Sequence, residues 1–381
     1  MKIRILIVIG TRPEAIKMAP LYLALKSRTD KFETILCVTA QHRQMLDQVL
    51  DVFGITPDMD LNLMTPGQDL FDVSAAVLLG MREVINKYRP DAMLVHGDTT
   101  TAFAASIAGF YAGVPVGHVE SGLRTFNLQA PFPEEFNRQV VSKLAKWHFA
   151  PTNVSLANLI KEGVPKSAIT VTGNTVIDAL LFVLGRLDAD PVRQASVYKL
   201  LDSKLLFNWK ESKIVLVTGH RRENLGEGFF QICRAIKVLA EKYPEIHFVY
   251  PVHLNPGVQK PVMAVLAGLV NVHLIGPLEY EPFVSLLKHS YLVMTDSGGI
   301  QEEAPSLGIP VLVMREVTER PEAVEAGTVR LVGADQNRII KNVSELLDHP
   351  AAYDAMAWAH NPYGDGNSSR QIVAVLERMA C

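Results

Sequence analysis

Ile3-Arg4-Ile5-Leu6-Ile7-Val8-Ile9-Gly10-Thr11-Arg12-Pro13-Glu14 decides how the fold is read. A nearly unbroken β-branched run stops at a glycine, and helical spacing takes over from Glu14 to Lys26. Apolar runs that are continuous rather than alternating belong to strands buried on both faces. The same unit recurs at Thr34–Thr39, Ala92–His96, Val114–Val119 and Ile169–Thr172. A second series follows at Ile214–Thr218, Ile246–Val252, Val272–Ile275, Tyr291–Thr295, Val311–Met314 and Val329–Val332. Segments between the runs, such as Phe229–Lys242, carry helical spacing. This alternation predicts an α/β chain with parallel sheets and right-handed crossovers. Ligands of such sheets bind at the carboxyl ends of the strands, so chemistry is expected just after each run.

A chain of 381 residues is too long for one ordinary core and predicts two domains. The boundary is placed at Gly173-Asn174, giving domains 1–173 and 174–362, with the C-terminal helix 363–381 joined to the first. A helix over Val176–Leu187 follows the boundary, and Asp188–Ser212 holds no strand but has room for a further helix. Hydrophobic residues at 48% and charged residues at 20% describe a globular protein. Lys and Arg number 37 against 40 Asp and Glu, and a net charge of −3 weighs against broad nucleic-acid binding. Cys37, Cys233 and Cys381 are far apart and fit neither a disulfide framework nor a metal site, which predicts a reducing cytoplasm. The basic, apolar N-terminus lacks a small-residue cleavage site, and Arg12 and Glu14 interrupt it at once; it reads as a buried strand, not a signal peptide. Thr99–Gly117 carries no charge, but its threonines, Gly113 and Pro115 make a poor span. It reads as a buried helix and a turn, so no membrane insertion is expected.

Four places carry chemistry. Gly10-Thr11-Arg12-Pro13-Glu14 is neither a dinucleotide fingerprint nor a P-loop, so no nicotinamide or ATP cofactor is indicated. It sets Arg12 at a strand-to-helix turn, which suits a phosphate; a pairing with a surface carboxylate is the other reading. Thr295-Asp296-Ser297-Gly298-Gly299-Ile300-Gln301-Glu302-Glu303 is a strand, a glycine turn and a helix start. There Ser297 can cap the helix and touch a phosphate, and Glu302 can accept ribose hydroxyls; an ordinary capped helix is the alternative. Thr218-Gly219-His220-Arg221-Arg222-Glu223-Asn224 gathers cations that suit a diphosphate. Finally, Asp98 and Glu120 sit just past strands, and Glu134 and Glu135 open a helix. Converging carboxylates shift one another's pKa values apart, which separates an acid from a base.

The other histidines, His42, His253, His273, His289 and His360, show no metal-ligand spacing, and no metal is expected. Trp147, Trp209 and Trp358 read as packing residues. Thr11-Arg12-Pro13-Glu14-Ala15 is echoed by Glu319-Arg320-Pro321-Glu322-Ala323; both could start a helix with proline in its first turn.

These motifs together resemble the bacterial non-hydrolysing UDP-N-acetylglucosamine 2-epimerases. The resemblance also takes in Thr39-Ala40-Gln41-His42-Arg43, His96-Gly97-Asp98-Thr99-Thr100, Gly117-His118-Val119-Glu120, Gly173-Asn174-Thr175-Val176-Ile177-Asp178, Tyr250–Pro256 and Asn361–Gly366. It runs over essentially the whole chain. One departure is Ser121, where the family usually has alanine after the glutamate. The resemblance implies a glycosyltransferase-B-type fold, two Rossmann-like domains facing a cleft, and a homodimer. It implies catalytic roles for Asp98, Glu120, Glu134 and His220. It assigns the UDP-sugar to Arg12, Lys17, Ser297, Gly298, Gly299, Glu302 and Arg320. A second, activating substrate position would involve Gln41, Gln44, Arg221 and His253. The implied reaction is elimination of UDP to a 2-acetamidoglucal and re-addition on the other face, supplying precursors of cell-surface polysaccharide. No redox cofactor is required. Rival readings are a 2-epimerase of another UDP-2-acetamido sugar, a hydrolysing epimerase, and a glycosyltransferase or UDP-sugar sensor of the same fold.

Overall fold

The computed structural model describes residues 2–39, 43–63, 65, 67–219, 221 and 224–378, leaving aside the side chains of 43–45. Gln41, His42, His220, Arg222 and Cys381 therefore lie outside the described residues, as does the side chain of Gln44. The chain divides into two compact units, one running to Phe182 and resuming at Tyr363, the other Val183–Pro362.

The first unit holds strands β1 (Ile3–Ile9), β2 (Phe32–Val38), β3 (Met59–Asp60), β4 (Ala92–His96), β5 (Val116–Val119), β6 (Trp147–Ala150) and β7 (Ile169–Val171). Helices α1 (Arg12–Lys26), α2 (Arg43–Phe53), α3 (Leu70–Tyr88), α4 (Thr100–Tyr111), α5 (Glu134–Leu144) and α6 (Asn153–Lys161) alternate with them, and α7 (Thr175–Ala189) follows β7. All strand pairs are parallel, in the order β3-β2-β1-β4-β5-β6-β7. The order reverses between β1 and β4, the switch point where a doubly wound sheet opens a crevice for ligands. The core is built from Leu6, Val8, Cys37, Val77, Met81, Met93 and Val95. Each fully buried aliphatic side chain there contributes roughly 1.5–3 kcal/mol.

The second unit adds α8 (Pro191–Lys204), β8 (Ile214–Thr218), α9 (Glu227–Lys242), β9 (His247–Pro251), α10 (Pro256–Leu266), β10 (Val272–Ile275), α11 (Tyr280–Lys288), β11 (Leu292–Thr295), α12 (Ile300–Glu303), β12 (Val311–Val313), α13 (Pro321–Glu325), β13 (Val329–Leu331), α14 (Gln336–Asp348) and α15 (Pro350–Ala357). Its sheet is again parallel, ordered β10-β9-β8-β11-β12-β13, with the switch between β8 and β11. Val215, Val217, Phe229, Ile232, Phe248 and Met294 are buried in its core.

The last helix, α16 (Ser368–Glu377), packs on α1 in the first unit. The break between units falls inside α7, beyond Gly173-Asn174, because the start of α7 is bound to the C-terminal segment. The Asn174 N–H donates to the Tyr363 carbonyl at 2.8 Å, and Asp178 accepts the N–H groups of Ser368 and Ser369 at 3.2 and 2.8 Å. Gly173 has φ +80°, and a Cβ there would meet the Tyr363 carbonyl at 2.9 Å.

Thr100–Tyr111 forms the expected buried helix, and no described helix is long and apolar enough to cross a membrane. Two strands, β3 and β6, were not read from the sequence. The packing expected for Trp358 is corrected, since it is 85% exposed at the end of α15; Trp209 is buried and its indole N–H donates to Asp202 at 2.7 Å.

Candidate active site

In the first unit the site grows from the ends of β1, β4 and β5. Thr11 and Glu14 form a capping box at the start of α1, with Pro13 in the first turn. The Glu14 carboxylate is buried and accepts the N–H groups of Gly10 and Thr11 at 3.0 and 2.8 Å, and the Thr99 hydroxyl at 2.7 Å. One carboxylate thus ties the Arg12 turn to the Asp98 turn across the switch point. Burial pushes Glu14 up to about 7, against the pull of those hydrogen bonds. Arg12 itself is half-buried at the first position of α1.

Glu120 follows β5 in a left-handed backbone conformation, φ 61°. That conformation costs a non-glycine residue on the order of 1 kcal/mol, so the surroundings must hold it. They do: Lys17 from α1 pairs with Oε1, and the Asn174 side-chain amide donates to the same oxygen at 2.8 Å. His96 brings Nε2 to 3.5 Å from Oε2. Gly97, at φ +62°, leaves room for that oxygen, which a Cβ would meet at 3.2 Å. Burial drives the His96 ring down to about 4, with Glu120 pulling upward and Lys17 adding to the fall.

Asp98 lies two residues past β4 and pairs with Arg138 of α5, while Asn137 donates to the Asp98 carbonyl at 2.9 Å. Glu134 and Glu135 separate cleanly. Glu135 is fully buried and accepts the N–H groups of Thr125 and Phe126, both at 3.0 Å, which makes it a strut for the loop after β5. Glu134 is half-buried, and its Oε2 finds no hydrogen-bond partner among the described residues. Asp98, Glu120 and Lys17 are thus brought to neighbouring strand ends, with Glu134 one turn before the arginine that holds Asp98.

In the second unit the glycine turn follows β11, next to the end of β8. The hydroxyls of Thr218 and Thr295 lie 2.6 Å apart, and the Ser297 N–H donates to Thr295 Oγ1 at 2.9 Å. Asp296 is fully buried and accepts the Arg221 N–H at 2.8 Å. The expected cap is corrected: α12 is a single turn whose N-cap is Gly299, with no side-chain capping bond, so Ser297 is not spent on the helix. Arg320 pairs with both Glu302 and Glu319, and a Cβ at Gly298 would meet the Arg320 Cζ at 2.8 Å, so a side chain there would displace the guanidinium from these partners. Burial alone would raise Glu319; Arg320 and Arg315 outweigh it and bring it down to about 2. Pro321 opens α13 as Pro13 opens α1, so the sequence echo marks two similar helix starts. His253 is exposed and its Nδ1 accepts the Asn255 N–H at 3.1 Å.

Among the described residues no group of three His, Cys, Asp or Glu side chains could hold a metal ion. Asn174 was not singled out by sequence as a site residue, although it lies in the motif Gly173–Asp178; only the fold shows that it reaches Glu120.

Two parallel doubly wound sheets with site residues at their switch points define a two-domain α/β protein of the glycosyltransferase-B type. The glycotransferase of kitacinnamycin shares this fold, with a TM-score of 0.65 at 13% identity. The family model described as UDP-N-acetylglucosamine 2-epimerase matches residues 24–377, and the chain belongs to that family of isomerases. The UDP-N-acetylglucosamine 2-epimerase of Escherichia coli (strain K12) is 54% identical over 377 residues, 98% of each chain. The Neisseria meningitidis UDP-GlcNAc 2-epimerase, solved bound to UDP-GlcNAc, is 51% identical, with a TM-score of 0.92 over 99% of this chain and all of that one.

Proposed function

We propose that this chain interconverts UDP-N-acetylglucosamine and UDP-N-acetylmannosamine by inverting carbon 2. No carbonyl flanks that carbon while the sugar is glycosidically bound, so its proton is not acidic enough for simple removal and return. Elimination solves this: the proton leaves carbon 2 as UDP leaves carbon 1, giving a 2-acetamidoglucal, and re-addition delivers a proton to the other face. Asp98, Glu120 and Glu134 are the proposed proton carriers, with His220 as a fourth catalytic group. Arg12, Lys17, Ser297, Gly298, Gly299, Glu302 and Arg320 are the proposed UDP-sugar residues, stabilising the departing diphosphate.

The observation that carries the proposal is Glu120: a strained, buried carboxylate held by Lys17 and Asn174 beside a second carboxylate at the next strand end. Strain of this kind is kept where chemistry needs a group in one place. The relative solved with UDP-GlcNAc supports the same substrate class. Incubation with UDP-N-acetylglucosamine in D2O, followed by proton NMR at carbon 2, tests it. A UDP-linked manno product carrying deuterium at carbon 2 is expected. Free N-acetylmannosamine, or no conversion, would overturn it.

The reading extends to a homodimer, to activation by a second substrate molecule near Gln41, Gln44, Arg221 and His253, and to a cytoplasmic location. The dimer is supported by apolar side chains on helices α3, α4 and α5, which pack side by side: Phe71, Leu79, Phe110, Tyr111 and Phe136 are exposed. The location is supported by the free, buried thiols of Cys37 and Cys233, both pushed up to about 12 by burial.

A further inference from the structure

Arg138 stands on α5 between two carboxylates. The Glu135 side chain, one turn earlier, is fully buried, that of Arg138 is 7% exposed and that of Asp98 27%, so the three charges run from the interior toward solvent. Arg138 Nη2 is paired with Asp98 Oδ2. Its Nη1 lies 3.5 Å from Glu135 Oε2, near enough to feel the charge, yet neither Nη1 nor Nε has a hydrogen-bond partner among the described residues. Unpartnered buried donors are rare in folded proteins and call for an explanation. Glu135 is fixed and cannot close the gap itself. A carboxylate offers about four acceptor sites. Oε1 takes the Phe126 N–H at 3.0 Å and the Gln139 amide at 2.9 Å, and Oε2 takes the Thr125 N–H at 3.0 Å. One site is left, on Oε2, the oxygen that Arg138 faces.

We infer that Arg138 is a positioning residue for Asp98, and that Glu135 is the second counter-ion that keeps the guanidinium paired while Asp98 is in its acid form. The inference rests on the proposed epimerase reaction, in which Asp98 serves one face of carbon 2. When the epimer with its hydrogen on that face is consumed, the bond between carbon 2 and hydrogen breaks. The proton passes to Asp98 Oδ1, the oxygen that Arg138 does not hold. The electron pair left behind forms the double bond to carbon 1. The bond from carbon 1 to the diphosphate oxygen breaks, and its pair leaves with UDP. When that epimer is formed, UDP adds back and Asp98 returns the proton. In between, Asp98 is neutral. A buried guanidinium whose one counter-ion is neutralised becomes an uncompensated charge, which is costly inside a protein. Here Nη1 can turn to the open site on Glu135 Oε2. One cation faces two anions before the proton arrives and one anion after, so the guanidinium is never left alone. Asn137 meanwhile holds the Asp98 backbone, donating to its carbonyl at 2.9 Å.

Variants read with isotopically labelled substrate separate this role from packing. Arg138→Gln removes the charge and should lower kcat by on the order of 10²-fold, the cost of a misplaced catalytic group. KM should stay within about 3-fold, because the chemistry and not the binding is affected. Arg138→Lys keeps a cation and should recover at least ~10-fold of that loss, the size of one charged hydrogen bond. Each variant is then run with UDP-N-acetylglucosamine or UDP-N-acetylmannosamine carrying deuterium at carbon 2. Arg138→Gln should raise the isotope effect with the one epimer whose proton Asp98 takes, and not with the other. A loss of folded protein lowers kcat and leaves both isotope effects alone. Glu135→Gln should lower kcat by itself and add less than about 3-fold to the loss in Arg138→Gln, since it acts through the guanidinium. Wild-type turnover by Arg138→Gln, equal loss in its Lys counterpart, or isotope effects unmoved with both epimers overturns the inference. Fully additive losses at positions 135 and 138 overturn the role of Glu135. If the wild-type protein itself fails to convert UDP-N-acetylglucosamine, the epimerase reading falls and takes the inference with it. Conversion by the wild type beside an unaffected Arg138→Gln defeats the role of Arg138 alone.

Discussion

Asp98 is held from two sides, its carboxylate by Arg138 and its backbone carbonyl by Asn137. Asp98→Asn keeps the shape and removes the charge, so it should lower turnover by at least ~10²-fold, a typical size for a lost acid–base group. Near-normal turnover by that variant would remove Asp98 from the mechanism. Arg221 offers a different test, since its backbone N–H is committed to Asp296. Arg221→Ala should weaken the dependence of rate on substrate concentration more than it weakens UDP binding; an unchanged dependence would sink the regulatory site. Single residues also mark the limit of what sequence reveals. Glu134 and Glu135 are indistinguishable as neighbouring acids in a first turn. Only the ~100° of rotation between consecutive helix residues turns one toward the N–H groups of Thr125 and Phe126 and leaves the other with a spare oxygen.

At the scale of elements, the strands that could be read were those with nearly unbroken aliphatic runs, such as Ile3–Ile9 and Ile214–Thr218. Trp147-His148-Phe149-Ala150 escaped because it is short, follows Lys146 and carries a histidine. That residue is acceptable inside a sheet because burial keeps it neutral, pushing its ring down to about 4, and because Ser121 Oγ lies 3.1 Å from its Nδ1. The motifs after the strands were legible, but the link from Lys17 to Glu120 was not. It depends on β1 lying beside β4, and β4 beside β5, which is a property of strand order. Helices α3, α4 and α5 carry their own prediction. On the proposed dimer, changing Phe110 and Tyr111 together to glutamate should lower the sedimenting mass from two chains to one. A mass unchanged from that of the wild type would mean that this face is not where two copies meet.

For the whole molecule, acid should be the weak side. His96, His148 and His273 are each held down to about 4, and His118 well below its ordinary value, all chiefly by burial. Between the ordinary value of 6.5 and about 4, the unfolded chain binds protons that the folded one refuses. Stability therefore falls as pH falls through that window. Glu14 acts the other way: raised from 4.5 to about 7, it makes the folded chain bind the extra proton, so its contribution is lost as pH rises through that range. The histidines outnumber it, and melting temperature should drop between about pH 6.5 and pH 4.5. A melting temperature that is flat or higher at the acid end would show that these rings are not neutral in the folded protein.

The stitching of Asn174 and Asp178 to Tyr363, Ser368 and Ser369 also bears on how the chain is made. The ribosome releases β1 to β7 first, yet their unit gains α16 only after everything from Val183 to Pro362 has emerged. Until then Asp178 has no serine N–H groups to receive and Asn174 has no Tyr363 carbonyl. The amide that holds Glu120 therefore sits on a segment without its backbone anchor until Tyr363 has emerged. The order of synthesis thus sets the whole second unit before the completion of the first, and a chain stalled before Tyr363 would carry the carboxylates without a fully anchored amide to hold Glu120.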